Sequence, residues 1–225
     1  MRLAFISDIH GNLKALESAL KIIKADEIYC LGDIVDRFPN SNTCIELVRK
    51  YCKASVLGNH EVMAVINGYA DIEIAIKKPD INKGEHLNPD IYREYLTAEN
   101  LSYLQSCGLE LELEDILLTH TPQDPRFQPW HYIKDETDAF LMFSRLNKKI
   151  TVIGHTHAPK IFEKTRENSY GMKTHAIYTD ETLTVKIQED CKYMMNSAPI
   201  GVYSKTAGYY GIIEDRRMEI HRFKI

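Results

Sequence analysis

Five short apolar runs, Leu3-Ala4-Phe5-Ile6, Ile28-Tyr29-Cys30-Leu31, Ala54-Ser55-Val56-Leu57, Ile116-Leu117-Leu118 and Ile150-Thr151-Val152-Ile153, lead into clusters of carboxylate, amide or imidazole side chains. The clusters are Asp8-Ile9-His10, Gly32-Asp33-Ile34-Val35-Asp36-Arg37, Gly58-Asn59-His60-Glu61, Thr119-His120 and Gly154-His155-Thr156-His157. A short, continuous apolar run reads as a strand buried on both faces. Helical patterns lie between the first three, and strands alternating with helices indicate a mostly parallel sheet. Ligands gather at the carboxyl ends of such strands. One topology therefore brings residues scattered from position 8 to position 157 to a single place.

The rest of the chain fits around this frame. Leu13, Leu16, Ala19, Leu20 and Ile23 have helical spacing, so a helix is expected over Leu13 to Lys24 with Asn12 as its N-cap. Ser41 is expected to cap a second helix that buries Cys44, Ile45, Val48 and Tyr51. Residues 67–108, punctuated by Gly68, Pro79, Gly84 and Pro89, read as a helical insertion in a single domain spanning 1–225, with Thr97 capping a helix that ends near Cys107. Leu109 to Leu113 and Ile116 to Leu118, around a Glu114-Asp115 turn, read as a hairpin that delivers His120. A long loop at 121–136 carries Phe127, Trp130 and Tyr132, which are expected to pack over the hairpin, and a helix near Asp138 to Leu146 follows. Beyond Lys160 only strands are expected, near Ile161, His175 to Tyr178, Leu183 to Ile187, Tyr209 to Ile213 and Met218 to Phe223.

Composition narrows the class. The 225 residues suffice for one sizeable core, and the net charge of −4 comes from mixed acidic and basic residues. No basic stripe suits long nucleic acid, which does not exclude a nucleotide or a short nucleic-acid end as substrate. Cys30, Cys44, Cys52, Cys107 and Cys191 are odd in number and contain no C-x-x-C pair, so reduced thiols are expected. With a strand starting near Arg2 and no apolar run near the roughly 18 residues of a membrane helix, a cytoplasmic protein away from membranes is the expectation.

The clustered side chains point to metal chemistry. Side chains at i and i+2 of an extended segment share a face, so Asp8 with His10, and His155 with His157, are each expected to act as a pincer. Of Asp33 and Asp36, three apart in a turn, one can bridge two metals while the other supports from behind. Oxygen and imidazole donors without thiolate suit manganese, iron or zinc better than calcium or a structural zinc. Two such ions about 3.5–4 Å apart lower the pKa of water from 15.7 toward about 7 and clamp an in-line displacement at phosphorus. A metal-dependent hydrolase is the reaction class this donor set implies. His86, His131, His175 and His221 fall outside the pattern and are expected to be structural or exposed, and Glu61 to support a helix start.

The series D-x-H, G-D-x-x-D, G-N-H-[DE], H and G-H-x-H, in that order, resembles the calcineurin-like metallophosphoesterases over residues 1 to about 160. The resemblance implies a four-layer α/β/β/α sandwich of two mixed sheets, with the tail after Lys160 completing the second sheet. It further implies that Asp8, His10 and His157 hold one divalent metal, that Asn59, His120 and His155 hold the other, and that Asp33 bridges them. Manganese is the first expectation, with iron, zinc, nickel or magnesium as alternatives. By the same resemblance His60 protonates the leaving oxygen, oriented by Asp36, and Arg37 contacts a phosphate oxygen.

Within the family, the short insertion, the hairpin and the tail look like small bacterial or archaeal predicted phosphodiesterases. Asp36-Arg37 and Gly58-Asn59-His60-Glu61 look like protein phosphatases and dinucleoside tetraphosphate hydrolases. The expected function is a phosphodiesterase acting on small or nucleotide-like phosphoesters, with a protein phosphatase or dinucleoside tetraphosphate hydrolase as the alternative. A non-catalytic scaffold is a further alternative, but it would show lost ligands, and none is lost here.

Overall fold

A computed structural model describes residues 1–67, 96–126, 129–165, 171–177, 182–197, 199–201 and 206–225. Two six-stranded mixed sheets lie against each other. The first contains β1 (Leu3–Ile6), β2 (Glu27–Cys30), β3 (Ala54–Ser55), β9 (Thr182–Lys186), β11 (Ala207–Glu214) and β12 (Arg217–Lys224), in the order β3-β2-β1-β11-β12-β9. The second contains β4 (Glu110–Glu112), β5 (Ile116–Thr119), β6 (Ile150–Ile153), β7 (Lys160–Thr165), β8 (Met172–Ala176) and β10 (Cys191–Asn196), in the order β4-β5-β6-β10-β7-β8.

Strand periodicity makes the layers. Leu3 and Phe5 of β1 enter the apolar seam between the sheets, where they join Tyr29, Val152, Ile161, Tyr193 and Met195. Their neighbours Ala4 and Ile6 face the other way, against α1 (Leu13–Ile22) and α2 (Ser41–Tyr51), through Leu16, Ala19, Ile45 and Val48. On the far side of the second sheet, Leu117, Ile153, Phe162 and Met194 meet Ala139, Met142 and Phe143 of α5 (Glu136–Phe143). Helix, sheet, sheet, helix: this is the four-layer sandwich that the sequence implied. A strand in such a position must be apolar on both faces, which is why these runs do not alternate.

The first helix follows expectation, with Asn12 Oδ1 accepting from the Ala15 N–H. At α2 the expectation is corrected. Its N-cap is Asn40, at φ +83° with no side-chain capping bond, and Tyr51 is exposed. Ser41 Oγ instead accepts from the Asp36 N–H at 3.2 Å, which ties the helix start to a site loop. Helix α3 (Asn59–Asn67) precedes the stretch expected to be an insertion, α4 (Ala98–Ser106) lies near its end, and Thr97 caps α4 as expected. Residues 68–95 lie outside the described residues, as do Phe127 and Tyr178.

The tail departs most from expectation. It does not simply complete the second sheet: β9, β11 and β12 join the first, and β11 pairs antiparallel with β1, Leu3 opposite Ile213. The strand β10, absent from the expected set, sits at the centre of the second sheet, parallel to β6 and antiparallel to β7. Its run Tyr193-Met194-Met195 is the signal for it, since all three side chains are fully buried on alternating faces.

All five described cysteines are free thiols. Among the described residues no helix is long and apolar enough to cross a membrane.

Candidate metal centre

The polar clusters follow the carboxyl ends of β1, β2, β3, β5 and β6, so strands of both sheets deliver them to one edge of the sandwich. Backbone hydrogen bonds lace the loops together: Asp8 N–H to Gly32 C=O at 3.0 Å, His10 N–H to Asp33 C=O at 2.8 Å, and Gly154 N–H to His120 C=O at 3.0 Å.

The pincers form, but not by strand alternation. Asp8, His10, Asp33, Asp36, Arg37, His155 and His157 all have φ between 51° and 70°, in the left-handed region. For non-glycine residues this costs about 1 kcal/mol or more each. Seven together approach the net stability of a whole domain, on the order of 5–15 kcal/mol. Such a concentration persists only where surrounding contacts hold it, and it marks a functional site. Close approach also explains two motif glycines. A Cβ on Gly58 would lie 2.1 Å from Asp33 Oδ1, and one on Gly154 would lie 2.0 Å from Ser7 Oγ and 2.9 Å from Asp8 Oδ2.

Two groups of donor atoms result, each lying within 4.8 Å of one another: Asp8, His10, Asp33 and His157 in one, and Asp33, His120 and His155 in the other. Asp33 Oδ2 is the shared vertex, 3.1 Å from His120 Nε2 and 3.6 Å from His10 Nε2. His10 Nε2 and His157 Nε2 face each other at 3.4 Å. Three imidazoles donate their other nitrogen to a backbone carbonyl: His10 Nδ1 to Val35 at 3.2 Å, His120 Nδ1 to Leu31 at 2.7 Å, and His155 Nε2 to Trp130 at 2.8 Å. Metal-binding histidines are held in this way, with one nitrogen anchored and the other left for the ion. Asp8 Oδ2 and Asn59 Oδ1 are buried and make no hydrogen bond. A buried acceptor without a donor is costly, and a cation would satisfy both.

The electrostatics agree. Burial alone would raise the Asp8 carboxyl, but His157 outweighs it and holds the pKa at about 2. Burial would lower His120, yet Asp33 lifts it to about 9. His155, buried and repelled by His120, falls to about 4. The buried carboxylates thus call for positive charge, which His120 supplies as a proton where no metal is bound.

His60 sits beside these groups, its Nδ1 donating to Asp36 Oδ2 at 3.0 Å and its ring edge-on to His10 at a 4.7 Å centroid distance. Burial lowers its pKa, but Asp33 and Asp36 outweigh that and raise it. Asp33, Arg37, Asn59, His60, Tyr132, His155, Thr156 and His157 line one cleft. All ten side chains singled out in the sequence therefore meet at one edge. His131, His175 and His221 lie elsewhere, paired with Asp138, Glu163 and Glu219 respectively.

A family profile described as calcineurin-like phosphoesterase matches residues 1–159. The chain belongs to that family. An uncharacterized protein of Methanocaldococcus jannaschii is 32% identical over 215 residues, covering 88% of this phosphoesterase and 76% of the relative. A crystal structure of a metallophosphoesterase from Sphaerobacter thermophilus superposes with a TM-score of 0.75 at 26% identity, over 99% of this chain and 88% of that one. A shorter likeness, 36% over 64 residues, is to serine/threonine-protein phosphatase 1 of Salmonella typhimurium; it covers 27% of this chain and 30% of the relative.

In this phosphoesterase Glu61 does more than support a helix start. Its fully buried carboxylate accepts four backbone N–H groups: Asp33 at 2.7 Å, Ile34 at 2.6 Å, Val35 at 3.0 Å and Gly58 at 2.9 Å. It thereby clamps the strained loop that carries Asp33 onto the loop that carries Asn59. Glutamine offers a single carbonyl oxygen and aims an NH₂ group at donors. Glu61→Gln is therefore expected to lose about 2–4 kcal/mol of stability, a fall of about 5–15 °C in Tm, measurable by thermal unfolding of the metal-free protein. An unchanged Tm would show that the clamp is dispensable. Asn196, outside the five sequence motifs, acts similarly: its Nδ2 donates to Gly154 C=O at 3.1 Å and to Thr156 Oγ1, and so fastens the loop that carries His155 and His157 to β10. Both residues hold backbone rather than substrate, and no local pattern signals that.

Proposed function

We propose that this chain is a metal-dependent phosphodiesterase acting on small or nucleotide-like phosphoesters. The observation that carries the reading is that Asp33 belongs to both donor groups while His60, Asp36's partner, lines the same cleft. Asp8, His10 and His157 would hold one divalent ion, Asn59, His120 and His155 the other, with Asp33 common to both. Manganese is the proposed occupant, with iron, zinc, nickel and magnesium as alternatives. Bound there, the ions would lower the pKa of water and neutralise charge developing at phosphorus. The chain's own residues do the rest. Asp36 holds Nδ1 of His60, so Nε2 is the nitrogen left to protonate the departing oxygen. Arg37, at the cleft wall, binds a phosphate oxygen.

The test is hydrolysis by metal-stripped protein of bis-p-nitrophenyl phosphate and p-nitrophenyl phosphate in parallel, with Mn²⁺, Mg²⁺, Zn²⁺ or Ni²⁺ restored separately. A metal-dependent preference for the diester supports the reading. Silence on both esters with no metal bound would overturn it in favour of a scaffold.

Arg37 and the short likeness to serine/threonine phosphatases favour a second reading, a protein phosphatase or dinucleoside tetraphosphate hydrolase. An extra guanidinium serves monoesters and polyphosphates best, because their terminal charge is higher. Arg37→Ala is therefore expected to reduce turnover of the two esters equally if the chain is a diesterase. A loss confined to p-nitrophenyl phosphate would move the assignment to the second reading.

A further inference from the structure

In the loop at residues 129–134, Trp130 and Tyr132 meet His120 and His155, while Ile133 packs in the cluster that holds Leu117 of the hairpin. Trp130 has φ +61°, a conformation rare for a bulky residue. That turn puts its carbonyl 2.8 Å from His155 Nε2 and its indole edge-on to His120 at 6.1 Å. Two residues on, the Tyr132 ring stacks on the His155 imidazole, with centroids 4.1 Å apart and planes 23° from parallel. Tyr132 is nevertheless 37% exposed and lines the cleft. The loop is pinned on both sides of it. The His131 carbonyl accepts from Thr121 Oγ1 at 2.9 Å, His131 Nε2 donates to Asp138 Oδ1 at 3.0 Å, Ile133 is fully buried, and the Lys134 N–H donates to Asp138 Oδ2 at 2.9 Å.

An exposed phenol on a rigid loop, beside groups assigned to a phosphate, is a surface for a flat ring. We infer that Tyr132 is a specificity-determining residue that stacks on the planar group of the substrate, a nucleobase or an aryl ring, while the phosphoester enters among Arg37, Asn59 and His60. This deepens the phosphoesterase reading and rests on it. The pinned loop has already lost its freedom, so binding does not have to order it. Lys134 Nζ lies 5.3 Å from the Tyr132 centroid. A cation–π contact at an exposed site is worth less than a base–aromatic stack, so the incoming ring displaces the flexible ammonium.

The rival role for Tyr132 is to shield His155 from water, and ligand ratios separate the two. Dissociation constants of AMP, ribose 5-phosphate, phenyl phosphate and methyl phosphate would be measured by calorimetry on manganese-loaded wild type, Tyr132→Ala, Tyr132→Leu and Tyr132→Phe. In the wild type, AMP is expected to bind about tenfold tighter than ribose 5-phosphate. The ratio should collapse toward one in the alanine and leucine variants and survive in phenylalanine. A preference for phenyl over methyl phosphate alone identifies an aryl ring, and one for AMP alone a nucleobase; either supports the inference. A shield would weaken all four ligands together and leave every ratio intact, which overturns it. So does a wild type with no preference in either pair. The underlying reading fails separately, as a wild type that binds no metal and hydrolyses neither nitrophenyl ester.

Discussion

Replacing Asp33 with alanine is expected to empty both halves of the metal centre and reduce hydrolysis to background. One carboxylate serves both donor groups, through an Oδ2 that lies 3.1 Å from His120 Nε2 and 3.6 Å from His10 Nε2. Its Oδ1 accepts the His60 N–H at 3.0 Å, so the same side chain also sets the start of α3. With it gone, each remaining set is short of a charged ligand, and two neighbouring cations repel each other with no carboxylate between them. Metal analysis after dialysis against manganese should give two ions per chain for the wild type and close to none for Asp33→Ala. His157→Ala, which touches one group only, should keep about one. Thermal unfolding of the metal-free proteins checks that the fold survives. An Asp33→Ala protein that retained both ions would show that the carboxylate is not shared.

His60→Ala is expected to retain both ions and lose roughly 10²–10⁴ in turnover, the usual contribution of a positioned acid. The separation follows from geometry. His60 lies outside both donor groups, and its hydrogen bond goes to Asp36. The loss should depend on the leaving group. An alkoxide needs a proton as the bond to phosphorus breaks, whereas nitrophenolate leaves without one. The variant should therefore be crippled on an alkyl ester and much less so on bis-p-nitrophenyl phosphate. Equal losses on the two would rule His60 out as the acid and leave it a positioning role for Asp33 and Asp36. A drop in metal content would instead place it among the ligands.

Much of the fold and of the site is legible in the sequence, and the reasons are local. A strand buried on both faces has to be apolar throughout, so Leu3 to Ile6 and Ile150 to Ile153 announce themselves. Chain direction then puts whatever follows at the carboxyl end, so the order of the polar clusters nearly specifies one site. The spacing of Asp8 and His10, and of His155 and His157, is readable too, although its mechanism is not. Spacing alone suggests extended geometry, whereas the chain uses left-handed turns at these four residues. Strand alternation could not have turned these side chains inward next to a backbone carbonyl from another loop.

Residue types and their order along the chain specify which donors are present, on which strand ends they stand, and hence the sandwich, the family and the chemistry. How those donors are held is a matter of long-range contact. Glu61 reaches the Asp33 N–H from 28 residues away, and His155 reaches the Trp130 carbonyl from 25. β11 returns from the far end of the chain to pair with β1, and β10 inserts beside β6. Hydrophobic period and capping are properties of neighbours along the chain. A carboxylate that clamps four amides, or a tyrosine laid on the His155 imidazole, is a contact between segments that no short window contains.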